Sequence, residues 1–353
     1  MRVREQAAAL ILAGGRSTRF WPEGRARRPK PLFALNGKSS LLADTIARVQ
    51  PPLAPERIFV LVGADHADLF KRAVRGLIPP RNVIVEPEAR GTAVAIAYGA
   101  AMIAQRLQDQ TIIAAMPADH YIPQTRLFQR ALSQAIDLAA RPDTVVAIGI
   151  TPTRPETGYG YQAIGRAVGA GFRVTHFVEK PNLATARRMI RAGKFLWNSG
   201  IYVMSVATLG GELQQHAPAL AAAMRRFAIG TPAQLRGAYR ALKVDSFDRV
   251  VAERSRNLFG VHARFRWDDV GSWEGVWEAL RGGADSVAAG NVLMLDSHGV
   301  LARGGKRLMV VLGLSDLVAI DTEDAILIAR RSRSQELARV FVELKRRGLQ
   351  KYL

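Results

Sequence analysis

Three stretches, far apart in the chain, hold the groups that phosphate chemistry needs. The first runs Leu10-Ile11-Leu12-Ala13-Gly14-Gly15-Arg16-Ser17-Thr18-Arg19 and on to Arg28-Pro29-Lys30-Pro31. Paired glycines after a β-type run let the backbone approach a ligand, where N–H groups cradle phosphate, and Arg19 and Lys30 add positive charge. The spacing is not the G-x-G-x-x-G of dinucleotide sites, because Arg16 and Arg19 stand where glycines belong. Nor is there a Walker A loop, since Leu32 stands five residues before Gly37-Lys38-Ser39. A tight turn accounts for the glycines equally well. The second stretch, Met116-Pro117-Ala118-Asp119-His120, places a carboxylate after a strand, where it suits Mg²⁺ on nucleotide phosphates or the cap of the next helix. The third, Arg266-Trp267-Asp268-Asp269-Val270-Gly271-Ser272-Trp273, offers a second carboxylate for the same cation, or a turn opened by two aspartates.

The elements around these stretches set where they lie. Residues 8–13, 57–62, 82–86, 111–115 and 144–150 read as β-strands, and 41–49, 65–75, 92–107 and 127–140 have helical length and spacing. Such alternation predicts a mostly parallel sheet covered on both faces, with ligands beyond the carboxyl ends of its strands. The middle is less regular, with a strand ending at Val178-Glu179-Lys180-Pro181 and helices near 182–192 and 206–226. After Gly282-Gly283 come short strands at 291–295, 300–302, 308–312, 317–321 and 325–329, then a basic amphipathic helix from Ser334 to Arg347. We therefore expect a catalytic domain over 1–283 and a small β-rich domain with a closing helix over 284–353.

Composition narrows the function. With 353 residues, 48% hydrophobic and 23% charged, the chain can bury about two cores, and a disordered tail is excluded. The absence of cysteine removes disulfides, thiolate metal sites and thiol nucleophiles. No apolar run reaches the ~18 residues of a membrane helix, and residues 7–13 are too short for a signal-peptide core, so a soluble cytoplasmic protein is expected. The 50 Lys and Arg against 30 Asp and Glu give a formal charge of +20, but they are spread along the chain without interleaved aromatics. This argues against nucleic acid and is compatible with small anionic substrates.

These stretches occur in order with Phe177-Val178-Glu179-Lys180-Pro181 and Trp197-Asn198-Ser199-Gly200-Ile201-Tyr202. Together they closely resemble the sugar-1-phosphate nucleotidyltransferases and, within them, the mannose-1-phosphate guanylyltransferases. The family's Gly-Gly-x-Gly-Thr-Arg-Phe-Trp-Pro opening and its later Pro-Lys are matched from Gly14 through Lys30. Its Pro-x-Asp-His, Glu-Lys-Pro, Trp-Asn-Ser-Gly and Trp-Asp-Asp-Val-Gly-Ser-Trp signatures are matched at 117, 179, 197 and 267. The resemblance implies an α/β fold, a Rossmann-like mixed, mostly parallel sheet, followed by a β-helix-like C-terminal domain. It implies transfer of GMP from GTP to α-D-mannose 1-phosphate with Mg²⁺ as cofactor. Arg19, Lys30, Asp119 and Asp269 are then the expected catalytic residues, and Asp119 and Asp269 the metal ligands, with Asp268 competing for the second place. Ala13, Gly14, Gly15, Glu86 and Thr92 are expected at the nucleotide, and Gly158, Glu179, Lys180 and Asn198 at the sugar phosphate. The expected partners are the two small substrates, no nucleic acid, no membrane and a second copy in a homodimer. Longer members carry an isomerase domain, for which 353 residues leave no room, so no isomerase activity is expected.

Four departures from the family pattern modify that picture. Ser17 stands where the family usually has Gly, Glu23-Gly24 where Leu-Ser is common, and Pro31 in place of the frequent Gln. The usual Arg-Asn-Thr-Ala-Pro is here Arg90-Gly91-Thr92-Ala93-Val94, in the segment that resembles the family's base reader. Gly91 and Val94 raise the alternative of another nucleoside triphosphate or hexose 1-phosphate, and Ser17 and Gly24 that of a non-catalytic regulatory subunit.

Overall fold

A computed structural model describes residues 3–14, 17–25, 28–35, 37–107, 110–227, 229, 232–243 and 245–353. The chain forms two compact units that do not follow chain order: residues 1–14, 46–118 and 122–266 make the first, and 15–45, 119–121 and 267–353 the second.

The first unit is built on one sheet. Its strands are β1 (Ala7–Leu12), β2 (Ile58–Gly63), β3 (Val83–Glu86), β4 (Ile112–Pro117), β5 (Val145–Ile150), β6 (Tyr161–Val168), β7 (Gly171–Val178), β8 (Phe195–Ser205) and β9 (Leu258–Ala263), in spatial order β3-β2-β1-β4-β8-β5-β9-β7-β6. The β3-β2-β1-β4 side is parallel, and β8 runs antiparallel to both β4 and β5. Apolar sequences such as Ala7 to Leu12 fit a central strand covered on both faces. Helices α1 (Leu41–Val49) and α3 (Thr92–Leu107) have the predicted bounds, while α2 (Ala67–Ala73) and α4 (Thr125–Ala139) lie within two residues of theirs. The irregular middle contains α5 (Leu183–Ala192), α6 (Val206–His216), α7 (Pro218–Phe227) and α8 (Pro232–Arg240). The single helix expected over 206–226 is two, because Pro218 has no N–H for the ladder and opens a new helix. Leu10, Ile96, Tyr202, Leu209 and Phe247 share the main buried cluster of this unit.

The second unit joins α9 (Trp273–Leu280) to a coil of short strands, β10 (Val287–Ala289), β11 (Val292–Leu295), β12 (Leu301–Arg303), β13 (Met309–Leu312), β14 (Leu317–Asp321) and β15 (Ile326–Arg330), and closes with α10 (Ala338–Arg346). Strands two apart pair in parallel, β10 with β12, β12 with β14 and β11 with β13, which is the register of a β-helix. Phe20, Phe33 and Leu35 pack in one cluster with Trp273, Trp277, Leu301 and Ile320. The loop that carries Arg19 and Lys30 is therefore part of this unit's core. Among the described residues, no helix is long and apolar enough to cross a membrane.

Candidate active site

In the second unit, Lys30 organises the expected catalytic residues. Its buried ammonium donates to Asp119 Oδ2 at 2.7 Å and to the Asp269 carbonyl at 2.6 Å, and lies 5.5 Å from the centre of the Phe20 ring. The Lys30 N–H donates to Ser17 Oγ, so the serine at a usual glycine position ties the two ends of this loop together. Burial by itself would raise the Asp119 carboxyl, but the charges of Lys30 and His120 and the Lys30 hydrogen bond hold it below the ordinary carboxylate value. Asp269 Oδ1 accepts from the Gly271 N–H at 3.0 Å. A Cβ on Gly271 would stand 3.2 Å from Asp269 Oδ2 and 3.6 Å from Arg19 Nη1, so both groups border this glycine. Arg19 Nη1 also donates to Gln335 Oε1 at 3.1 Å.

Asp268 has a different setting. Its Oδ1 accepts from the Val270 N–H at 2.6 Å, and its backbone exchanges two hydrogen bonds with Tyr121. It shapes a turn in which Val270 has φ +49°. His120 Nδ1 accepts from Trp267 Nε1 at 3.1 Å, a packing role.

Two further departures have local explanations in this unit. Arg303 donates to both Glu23 oxygens, at 2.8 and 3.3 Å, and to the carbonyls of Leu35 and Ala34. A Cβ at position 24 would meet the Ser17 carbonyl at 2.3 Å, so only glycine fits there.

The first unit holds the residues expected at the base and the sugar. Glu86, 4% exposed, accepts from Tyr239 Oη at 2.8 Å; burial pushes its carboxyl up, against the hydrogen bond from Tyr239. A Cβ on Gly14 would lie 3.6 Å from Glu86 Oε1, so the glycine borders this carboxylate. The Ala13 N–H donates to the Leu61 carbonyl at 2.8 Å. Gly15 lies outside the described residues. Thr92 Oγ1 accepts from the Phe247 N–H at 3.0 Å. Gly91 adopts φ +86°, and a Cβ there would stand 2.3 Å from the Asp245 carbonyl. The 245–247 backbone crosses where a larger residue would otherwise project.

On the other side of the same sheet, Glu179 Oε1 pairs with Lys180 Nζ at 3.0 Å, and the Glu179 N–H donates to Glu253 Oε1. Burial first, then the charge of Asp248, raise the Glu179 carboxyl, and Lys180 opposes them. A Cβ on Gly160 would lie 2.9 Å from Glu179 Oε2, so this glycine makes room for the carboxylate. Asn198 Nδ2 donates to Tyr202 Oη and Asp248 Oδ1, both at 2.8 Å, and Tyr202 Oη donates to the same Asp248 oxygen at 2.6 Å. Both bonds made by the Asn198 amide nitrogen lie inside this network. The Gly158 N–H is likewise taken by Glu156 Oε1 at 3.0 Å. The β5–β8 register shifts between Ala147 and Gly149, opposite the Asn198 segment, and such bulges re-aim side chains. Tyr239, Asp248 and Gln335 were not identified from sequence. Their hydrogen bonds join residues too far apart in the chain to leave a local pattern.

The donor set suits magnesium. Asp119 and Asp269 offer oxygen only, and Asp119 is held ionised. Among the described residues no group of three or more His, Asp or Glu is set to hold a metal. A hard cation that keeps most of its shell as water and substrate phosphate needs no more than one or two protein carboxylates.

Comparison with known proteins gives a consistent picture. The Nucleotidyl transferase family model matches residues 8–286, and a MannoseP isomerase/GMP-like beta-helix domain model matches 290–344. The Xanthan biosynthesis protein XanB of Xanthomonas campestris pv. campestris (strain B100) is 34% identical over 347 residues, which cover 96% of this chain and 73% of that protein. A mannose-1-phosphate guanylyltransferase of Salmonella muenchen is 32% identical, covering 95% of this chain and 73% of the relative. A crystal structure from Thermus thermophilus, described as a mannose-1-phosphate geranyltransferase, is 32% identical and superposes with a TM-score of 0.88 over 96% of this chain and 99% of its own.

Proposed function

We propose that this chain, which belongs to the mannose-1-phosphate guanylyltransferase branch of the nucleotidyl transferase family, transfers GMP from GTP to α-D-mannose 1-phosphate, releasing pyrophosphate and GDP-mannose. The observation that carries the reading is the Lys30 ammonium, bonded to both Asp119 and the Asp269 backbone, with Arg19 and the Asp269 carboxylate both bordering Gly271. Cations and carboxylates in one cluster are what phosphoryl transfer by positioning and charge neutralisation requires.

In this mechanism a phosphate oxygen of mannose 1-phosphate attacks the α-phosphorus of GTP in line. The bond to the β-phosphate breaks, and its electrons leave on pyrophosphate. Arg19 and Lys30 hold the triphosphate, and Lys30 neutralises charge that builds at the α-phosphate in the transition state. Magnesium, when bound by Asp119 and Asp269, supplies further charge neutralisation at the same phosphate. Gly14, with Gly15, gives the nucleotide close approach, and Glu86 and Thr92 face the base. Glu179 accepts from sugar hydroxyls and Lys180 balances the sugar's phosphate. Asn198 completes the sugar-phosphate side, with its amide set by Asp248 and Tyr202. Gly158 supports the same side through its turn with Glu156.

The reading includes a cytoplasmic location and a homodimer. It is tested by pyrophosphate release with mannose 1-phosphate, Mg²⁺ and each common nucleoside triphosphate in parallel. Selective release with GTP is expected. Preference for UTP, dTTP or ATP would favour the second reading, a changed base specificity, which rests on Gly91 and Val94. Nucleotide binding without turnover on a hexose 1-phosphate panel would favour a regulatory subunit.

A further inference from the structure

Beside α4 the first unit holds a cavity of about 360 Å³, and none of the residues given a role above lines it. Leu127, Arg130, Ala131 and Gln134 form one wall, at the i, i+3, i+4 and i+7 positions of a single helical face. His262 of β9 and Arg264 just beyond it form the other. The space exists because β7 pairs with β9 only at Phe172–Gly260 and Arg173–Phe259, so that edge of β9 carries no partner from Val261 on. Among the described residues no carboxylate lines the cavity, and neither Arg130 nor Arg264 pairs with one. Near the C-terminus, by contrast, exposed arginines do find partners, Arg333 and Arg339 in Glu336 and Arg346 and Arg347 in Glu343. His262 Nε2 shares a hydrogen bond with Thr151 Oγ1 at 2.8 Å, which positions the ring. Burial, then the charge of Arg264, hold this imidazole below its ordinary value.

We propose that this cavity binds the phosphate group of a small phosphorylated molecule, held between Arg130 and Arg264. The charge fits. A concave site lined by one sign focuses its field on counter-ions, and guanidinium meets phosphate through paired, charge-assisted bonds. Gln134 adds an amide donor. Leu127, Ala131 and Ala170 give the organic part of the molecule an apolar wall to rest on. The size fits as well. Small-molecule sites run from about 300 to 1,000 Å³, and a cavity at the low end of that range suits one phosphorylated sugar or mononucleotide. A phosphate between the two arginines also ties α4 to the stretch after β9. These already meet where the Phe265 and Phe128 rings pack 5.8 Å apart and where the Arg266 N–H donates to Gln124 Oε1. α4 follows Asp119 and the stretch after β9 runs on to Asp269, so occupancy bears on the segments that carry both carboxylates. That consequence rests on the guanylyl transfer proposed above, whereas the binding itself does not.

Histidine-selective NMR of the full chain tests it, with the His262 signal assigned by its loss in His262→Gln. Inorganic phosphate is the first probe, followed by glucose 6-phosphate and guanosine monophosphate. Phosphate is expected to shift the His262 signal saturably and to raise the pH at which it titrates, since a nearby anion favours the imidazolium. Arg130→Gln/Arg264→Gln, which leaves two polar side chains at exposed positions, is expected to keep its circular dichroism and to bind about 10²-fold or more weakly. One of the two organic phosphates is expected to bind about tenfold or more tightly than inorganic phosphate, and which one does so separates a sugar phosphate from a nucleotide. A His262 signal that does not move up to about 100 mM phosphate overturns the proposal. So does a double variant that binds like the wild type, or a shift that chloride reproduces at equal ionic strength, which is screening alone. Equal binding of all three phosphates overturns the organic ligand. A ligand that binds, yet leaves the Mg²⁺ concentration for half-maximal turnover unchanged, overturns the link to Asp119 and Asp269. Because binding is read from His262 without turnover, a chain that binds phosphate and transfers no guanylyl group counts against the proposed function and not against this site.

Discussion

Replacing Glu23 with alanine should loosen the loop that carries Arg19 and Lys30. Glu23 is 8% exposed, and its carboxylate pairs with an Arg303 side chain that is 12% exposed. Removing one partner of a buried pair costs about 3–5 kcal/mol, because the remaining charge keeps its desolvation penalty. Arg303 would retain its bonds to the Leu35 and Ala34 carbonyls, at 2.7 and 3.2 Å, which softens that penalty. We therefore expect Glu23→Ala to lose about 3 kcal/mol, at the low end of that range. Glu23→Gln keeps an acceptor for Arg303 Nε and should lose about 1–2 kcal/mol, the scale of a charged hydrogen bond made neutral. The assay is urea unfolding combined with amide hydrogen exchange over residues 17–35, where protection should fall in the order wild type, Gln, Ala. Guanylyl transfer should weaken in the same order, since the loop carries Arg19 and Lys30, the two cations proposed to hold the triphosphate. A loss below about 0.5 kcal/mol for Glu23→Ala, the level of a solvent-exposed pair, would refute the reasoning.

Other outcomes follow from the same geometry. Asp119→Ala and Asp269→Ala should each abolish turnover with circular dichroism unchanged; near-normal activity in either variant removes that carboxylate from the metal role. Lys30→Ala should lower kcat about 10²–10³-fold with a smaller change in KM, and a change confined to the KM for mannose 1-phosphate would contradict the role given to it. Glu86 has a raised folded-state pKa, so its contribution is fully present below the unfolded value near 4.5 and is lost as pH rises through the folded value. Glu86→Gln should therefore gain stability relative to wild type between pH 4.5 and 7 in denaturant titrations. A constant difference across that range would show that Glu86 does not titrate as described.

Much of this architecture was legible in the sequence, and the reasons it was legible are physical. Helices α1 and α3 were placed to the residue, α1 by its amphipathic spacing and α3 by an unbroken apolar run that is buried from Ala93 to Ala101. β8 was not recognised as a strand. Asn198-Ser199-Gly200 breaks its apolar alternation and Gly200 takes φ +72°, so the local pattern reads as a turn. Pairing with β4, β5 and β6 keeps it extended, and such pairing leaves no trace in neighbouring residues. The candidate site divides in the same way. Lys30, Asp119 and Asp269 stand in compact motifs, whereas Tyr239 reaches Glu86 across 153 residues and Asp248 reaches Asn198 across 50. The departures at Ser17, Glu23 and Gly24 looked like erosion of a motif. In the folded chain they form bonded or close-packed contacts with Lys30, Arg303 and the Ser17 carbonyl.

Because the second unit draws on both ends of the chain, its assembly is tied to the order of synthesis. Its residues 15–45 leave the ribosome early, but the partners that bury Phe20, Phe33 and Glu23 lie between Trp273 and Leu337. At ~5–20 residues per second, translation takes on the order of tens of seconds to cover that distance. The loop with Arg19 and Lys30 must wait unpartnered through that interval, while the strands of the first unit can already pair. A nascent chain of this protein therefore acquires its sheet before the loop with Arg19 and Lys30 is packed. Truncation after residue 286 would leave that loop without Leu301, Arg303 and Ile320, whose burial and pairing hold it in place.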